Sequence, residues 1–389
     1  MSVRFGMLSE FPVSLPLYLL ALAVFAMGTS EFMLAGLLPG IAADLGVAVG
    51  SAGALTSAFA IGMVVGAPAV AALARRWPRR GCLLGFVVAF AAAHVVGACT
   101  TSFALLLTTR VVAAVANAGF LAVALTAAAA LVAGDRTGRA VAVLLSGTTL
   151  ATVAGVPGGA VLGTALGWRA TFAAVAVLCL PAAAGVLAVK PRARTAVRPV
   201  LRTELAQLTR PRLLLVMSLG ALVNAATFAS FTFLAPVVTG ITGLGEWWVS
   251  VALVLFGAGA CAGVTVAGRL SDHRPGLVLA AAGPLLLAGW PALALSAGSP
   301  VALFALVFVQ GALSFALGGT LIARVLHEAA AAPTMAGSYA TAALNVGAAA
   351  GPLLAAATLG AGARGPLWTS AALVAVALLI AAGTRSVGH

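Results

Sequence analysis

Charge is what this sequence has least of. Only 7% of its 389 residues are charged, against 62% that are hydrophobic. Soluble domains carry about 25% charged residues, so a fold solvated on all sides is excluded and a bilayer-embedded one is indicated. Lysine occurs once, as Lys190, between Val189 and Pro191. A Walker A loop needs Gly-Lys-Ser or Gly-Lys-Thr, so ATP-driven pumping by this chain alone is excluded. The four cysteines, Cys82, Cys99, Cys179 and Cys261, form no C-x-x-C pair and lie in or beside apolar runs, where a free thiol behaves as a small hydrophobe. His327-Glu328 opens an H-E-x-x-H pattern, but Ala331 occupies the place of the second histidine, so no zinc pair forms. There is no G-x-S-x-G elbow and no pair of mid-helix carboxylates for hydrolysis. Enzymatic chemistry, a metal site and a cofactor are therefore not expected.

What is present is a succession of apolar runs, each long enough to cross the hydrocarbon core. They predict twelve helices at approximately 17–39, 51–74, 81–99, 103–125, 140–163, 168–189, 213–238, 247–267, 276–296, 300–323, 334–359 and 366–383. The first run is longer than a signal-peptide core and contains Glu31, so it reads as a retained helix. Prolines inside runs, such as Pro157 and Pro352, are tolerated where neighbours satisfy the freed backbone.

The formal charge of +13 is a topology signal and not a nucleic-acid footprint, because the basic residues alternate between loops. Eighteen fall on one side of a twelve-helix arrangement, with clusters at Arg75–Arg80, Arg136/Arg139 and 190–212, while Arg169 and Arg364 alone fall on the other. By the positive-inside rule both termini are cytoplasmic. The basic 190–212 stretch divides the chain into a bundle at 1–189 and a second at 213–389.

The halves echo one another. Ala71–Arg76 after the second helix matches Gly268–His273 after the eighth at an offset of 197, and Gly155–Gly158 precedes the Gly351-Pro352 region by 195. The expected architecture is all-α, two pseudo-symmetric six-helix bundles from a duplicated unit, with a substrate site near the midplane between them. Gly147, Ala151, Gly155, Gly159 and Gly163 form a small-residue stripe on the fifth helix, and Ala343, Gly347, Gly351 and Ala355 another on the eleventh. Such stripes admit close backbone approach.

Of 8 acidic residues only Glu31 lies in mid-helix. A buried ionisable group there is costly and marks a cavity or a partner, so Glu31 is a candidate for reversible protonation. Arg110, within the fourth helix, is its candidate partner. Helical rise puts Glu31 ~21 Å from the inner end of its helix and Arg110 ~10 Å below the outer end of its own, at similar depth. Asn117, Asn224, Gln310 and Asn345 are intramembrane amides that serve as interhelical glue or substrate contacts; His94 could titrate.

Gly155-Val156-Pro157-Gly158-Gly159, the following Gly167-Trp168-Arg169-Ala170-Thr171-Phe172, Arg110 and Gly268-Arg269-Leu270-Ser271-Asp272-His273-Arg274 together resemble the major facilitator superfamily, specifically its twelve-helix drug:proton antiporters. The resemblance covers essentially the whole chain. The first-half gating loop departs from the pattern, with Ala71 and Arg75 where the family has glycine and aspartate. Gly28-Thr29-Ser30-Glu31-Phe32-Met33, Gly36-Leu37-Leu38-Pro39, Ser146-Gly147-Thr148-Thr149, the run from Asn117 to Leu125 and the run from Gly337 to Asn345 are similar to chloramphenicol-resistance exporters. Sugar-efflux members share part of the first-helix motif. The resemblance implies a monomer in the plasma (inner) membrane that exports a small drug against protons by alternating access. It gives Arg110 a part in proton transfer and Gly268, Arg269, Asp272 and Arg274 the gating loop; beside it, the lone mid-helix carboxylate makes Glu31 the expected coupling or drug-sensing group, tuned by Arg110, with Asn117, Asn224 and Asn345 as candidate substrate contacts. Efflux of a sugar or metabolite, or a channel or sensor function, are the competing readings.

Overall fold

The computed structural model describes residues 15–73, 78–130, 137–188, 201–271, 275–332 and 335–386, and among them there is no β-strand. The first span is bent: Leu15–Phe32 and Leu34–Leu45 meet at 54°. The second to sixth are Ala54–Leu73, Arg79–Cys99, Phe103–Ala130, Thr137–Leu166 and Trp168–Ala188. The seventh, Pro211–Thr232, continues after a break as Leu234–Gly240. The eighth to twelfth are Trp247–Ser271, Pro275–Ser296, Pro300–Glu328, Ala336–Leu359 and Gly365–Ser386. Among the described residues eleven helices are long and apolar enough to cross a membrane, and the bent pair, taken as one span, makes a twelfth.

The helices match the apolar runs in number and order but are longer at several ends. The fourth runs to Ala130 and the tenth to Glu328, because backbone hydrogen bonding continues beyond the hydrocarbon layer that an apolar window detects. Part of the 190–212 connection is also helical: Leu201–Leu205 continues into a 3-10 turn, Ala206–Thr209. Tyr339, early in the eleventh span, donates to the Glu204 carbonyl at 2.8 Å and ties this piece down. Arg4, Arg75, Arg76, Arg136, Asp272 and Arg274 lie outside the described residues.

Large apolar side chains face outward, among them Val65, Leu166, Val177 and Leu295, while Ser30, His94, Arg110, Asn117 and Gln310 are buried. This distribution suits lipid, where polar groups must find partners inside. Two buried cores fill the two halves, each borrowing a few residues from the other: Phe233 and Ala355 join the first, Ala35 and Ala160 the second.

The duplication is visible atom by atom. A Cβ on Gly62 would stand 2.7 Å from the Val111 carbonyl oxygen, and one on Gly66 would stand 2.9 Å from the Val115 Cα. Residues shifted by 197 repeat both meetings, Gly259 against the Phe308 carbonyl and Gly263 against Ala312. The second and fourth spans, like the eighth and tenth, thus approach backbone to backbone. The small-residue stripes behave alike at an offset of 200. Gly147 packs on the Ala21 carbonyl and Phe25 nitrogen, and Gly347 on the Ala221 carbonyl and Ala225 nitrogen. This corrects the offset of 195 taken from the prolines: Pro157 and Pro352 are not equivalent, and the glycine packing sets the register.

Arg169 and Arg364, the two arginines on the arginine-poor face, cap helix ends. Arg169 donates to the Thr100 carbonyl at 3.0 Å, closing the third span, and Arg364 to the Ala294 carbonyl at 2.9 Å in the last turn of the ninth. A cation at a helix C-terminus complements its dipole.

Candidate functional site

Glu31 sits at the bend of the first span, two residues before Met33, where the helix breaks. The cause of the bend is at hand. Arg110 reaches across from the fourth span and donates through Nη2 to the Ser30 carbonyl at 2.8 Å and through Nη1 to the Ser30 hydroxyl at 2.7 Å. A side-chain donor on a helical carbonyl is an established source of kinks. The seventh span breaks at Phe233 for a different reason. Pro236 lacks an amide hydrogen and its ring crowds the carbonyl of Thr232, the last residue before the break.

Arg110 is 1% exposed, and its guanidinium lies over the Phe59 ring at 4.4 Å from the centroid. Its Nε is buried with no partner among the described residues. The predicted similarity of depth therefore holds, but the contact differs from a simple ion pair. Glu31 and Arg110 are near enough to interact electrostatically, yet they do not form an ion pair as Arg169 and Asp44 do. Ser30, next to Glu31 in the chain, holds the arginine instead.

The Ser30 hydroxyl also meets His94 Nε2 at 2.7 Å, and His94 Nδ1 meets the Phe90 carbonyl at 2.8 Å. His94 is 1% exposed and Ser30 0%. The ring lies between Phe90 and Phe172, with centroids at 4.3 and 5.6 Å. One buried network thus joins the first, third and fourth spans.

Beside Glu31 the chain turns apolar and crosses to the other half. Phe32 stacks on Phe228 at 5.7 Å and meets Phe231 edge-on at 6.2 Å. Phe231 then packs against Phe256 at 4.8 Å, and Phe256 against Phe315 at 6.1 Å. Sequence reasoning missed this series, since a phenylalanine in an apolar run looks like filler. The available signal was Phe32 immediately after the lone mid-helix carboxylate.

The amides are mostly engaged elsewhere. Asn117 faces Met63 Sδ at 3.6 Å and is 2% exposed. Asn224 donates to the Leu344 carbonyl at 2.7 Å, linking the seventh and eleventh spans, and Asn345 donates to the Thr341 carbonyl of its own helix at 2.9 Å. Asn224 thus ties two spans together, while the Asn345 bond stays within one helix.

In the fifth span a π turn, Ala151–Gly155, precedes Pro157. In a regular helix the proline ring would clash with the Val153 carbonyl, and a wider turn relieves this. A Cβ on Gly155 would run into Thr29, one residue before Ser30, and one on Gly159 would stand 3.1 Å from Thr171 Cγ2, whereas one on Gly158 would meet nothing within 4 Å. On its other face the π turn touches the second half, the Thr152 carbonyl lying 2.5 Å from where a Gly257 Cβ would be. Of the gating-loop residues, Gly268 and Arg269 belong to the last turns of the eighth span.

Toward the arginine-poor end the halves meet again. Ser57 donates to the Ala349 carbonyl at 2.7 Å, and Gly53 lies under the Phe233 ring. Beyond them a cavity of about 540 Å³ opens between the halves, with Gly40, Asp44 and Arg169 on one side and Thr239, Glu246 and Val249 on the other. Glu31 does not line it.

A family model described as Major Facilitator Superfamily matches residues 20–331. The chain is 75% identical to a chloramphenicol resistance protein of Streptomyces lividans over 96% of its own length and 97% of that protein's. It is 32% identical to the inner membrane transport protein YdhP of Escherichia coli K12 over 90% of each. Among solved structures, a bacterial homologue of the human lysosomal transporter Spinster, in an inward-facing and occupied conformation, superposes with a TM-score of 0.74 at 18% identity, covering 94% of both chains. The bent first span with its buried arginine contact, the duplicated helix packing and these similarities agree that the chain belongs to the major facilitator superfamily.

Proposed function

We propose that this chain is a proton-coupled exporter of chloramphenicol or a closely related amphipathic drug. The 75% identical relative named for chloramphenicol resistance supports the substrate, and the arrangement around Glu31 supports the coupling.

Glu31 is the proton carrier. It stands at the bend, beside an arginine whose Nε has no partner among the described residues and next to the phenylalanines that bridge the halves. When Glu31 is ionised, Arg110 supplies the opposing charge. When it is protonated, the arginine stays on Ser30 and the carboxyl is free to face substrate. Chloramphenicol is neutral, so its binding rests on ring stacking and a few hydrogen bonds. Phe32, Phe228 and Phe231 form the apolar wall, and the cavity at the arginine-poor end is the exit vestibule.

The six-helix bundles at 1–189 and 213–389 rock about this centre, joined by the 190–212 linker with both termini cytoplasmic. The chain works as a monomer in the plasma membrane, without catalytic chemistry. Gly155, Pro157, Gly158 and Gly159 shape the bend at the interface, and Gly268, Arg269, Asp272 and Arg274 form the gating loop.

The test is chloramphenicol accumulation in a sensitive host expressing the wild type or Glu31→Gln, with and without a protonophore. Wild-type cells should exclude the drug only when the proton gradient is intact, and the mutant should fail to exclude it. Efflux unaffected by the protonophore would end the coupling proposal; unaltered efflux by the mutant would end the role of Glu31.

A further inference from the structure

The buried contact between Ser30 and His94 has no part in the export cycle proposed above, yet it touches the group that controls it. A carbonyl oxygen can only accept, so His94 Nδ1, facing the Phe90 carbonyl at 2.8 Å, carries the hydrogen. In the neutral ring Nε2 is then an acceptor, and the Ser30 hydroxyl donates to it across 2.7 Å. That fixes the direction of the hydroxyl and leaves its lone pairs toward Arg110 Nη1, also at 2.7 Å. The hydrogen bonds run one way, from Arg110 to Ser30 to His94 to the Phe90 carbonyl, and all three side chains are buried.

We propose that His94 is a positioning residue for proton coupling. Its Nε2 orients Ser30, and oriented Ser30 holds Arg110 off Glu31. The inference rests on the transport reading and on Arg110 serving Glu31. If Nε2 takes a proton it becomes a donor, the Ser30 hydrogen loses its acceptor, and a second positive charge stands next to Arg110. Of the charged groups the neighbouring spans bring to this network, Arg110 comes from the fourth and Glu31 from the first. Arg110 loosens from Ser30 and is driven toward the Glu31 carboxylate. The neutral ring therefore keeps the arginine on Ser30 and off Glu31.

The experiment uses radiolabelled chloramphenicol and the full-length protein in proteoliposomes with an imposed pH gradient. His94→Phe keeps a flat ring between Phe90 and Phe172 but removes both nitrogens. His94→Gln keeps an acceptor that cannot be protonated near neutrality. Losing a buried hydrogen bond of this kind should cut the maximal rate of His94→Phe about tenfold, with KM for the drug within about twofold. His94→Gln, which keeps the acceptor, should stay within about threefold of wild type in rate, with KM unchanged within about twofold. Ser30→Ala should match His94→Phe, and the double variant should be no slower than either single one.

Wild-type transport by His94→Phe overturns the proposal. So does an equal fall in the Phe and Gln variants, which assigns the effect to packing. If His94→Phe does not accumulate in the membrane, Ser30→Ala decides, and a wild-type rate there overturns the proposal. Failure of the underlying reading is recognised separately, because then wild-type protein does not transport the drug or Glu31→Gln transports it normally.

Discussion

Both terminal nitrogens of Arg110 are held by Ser30, one residue before the carboxylate they were expected to meet. The arginine thus grips the backbone of the first span at its bend and is positioned beside Glu31 without being committed to it. A carboxylate locked in a buried ion pair would resist protonation; one beside an occupied arginine can exchange its proton with smaller rearrangement.

Replacing Arg110 with lysine should be damaging although the charge is kept. An ammonium group cannot reproduce the forked contact with both oxygens of Ser30. Export by Arg110→Lys should fall by at least about tenfold, and thermal unfolding in detergent should begin several degrees earlier, since a buried charge-assisted hydrogen bond contributes about 1.5–3 kcal/mol. Transport at the wild-type rate would show that charge alone suffices.

Glu31→Gln should behave differently in stability. Among the described residues the carboxylate makes no ion pair, and an amide of the same shape is easier to bury. The variant should unfold at or slightly above the wild-type temperature while losing proton-dependent export. A marked fall in melting temperature would assign Glu31 a structural role.

Within the fifth-span glycine motif the positions are unequal. A methyl group at Gly155 would collide with the Thr29 side chain beside the coupling site, while one at Gly158 meets nothing within 4 Å. Gly155→Ala should therefore cost about 1–3 kcal/mol and slow transport, and Gly158→Ala should leave thermal stability and expression unchanged. Equal behaviour of the two in a thermal-shift assay would contradict the packing.

Phe231→Ala should act on substrate. Phe231 touches Phe32, Phe228 and Phe256 in one cluster, so truncation removes a wall of the proposed drug site. KM for chloramphenicol should rise about tenfold or more, in line with the several kcal/mol that a large aromatic contact can carry, and Phe231→Tyr should restore most of the affinity. An unchanged KM would move the drug site elsewhere.

Much of the scaffold was legible from one sequence because lipid imposes simple rules. Twenty apolar residues make a span, and arginines gather on one face. The common depth of Glu31 and Arg110 followed from helical rise alone. The bend at Met33 did not, because neither glycine nor proline occupies that position and the carbonyl that Arg110 holds is invisible in a string of letters. Serine and phenylalanine are too common in membrane helices to stand out, so Ser30 went unmarked and the Phe32–Phe315 series was signalled only by Phe32 following Glu31. The prolines misled because they are conspicuous, whereas the register follows the less conspicuous glycines.

Superimposing the halves through their glycine contacts has one more consequence. The fourth-span offset carries Arg110 onto Val307, and the first-span offset carries Glu31 onto Phe231. One copy of the ancestral unit therefore holds the electrostatic apparatus, and at matching places the other holds oily surface. A symmetric pair would give the proton and the drug two interchangeable stations. In the cycle proposed above the charge comes from the first half alone, while the aromatic cluster comes mainly from the second with Phe32 reaching in from the first, so the two halves are not interchangeable.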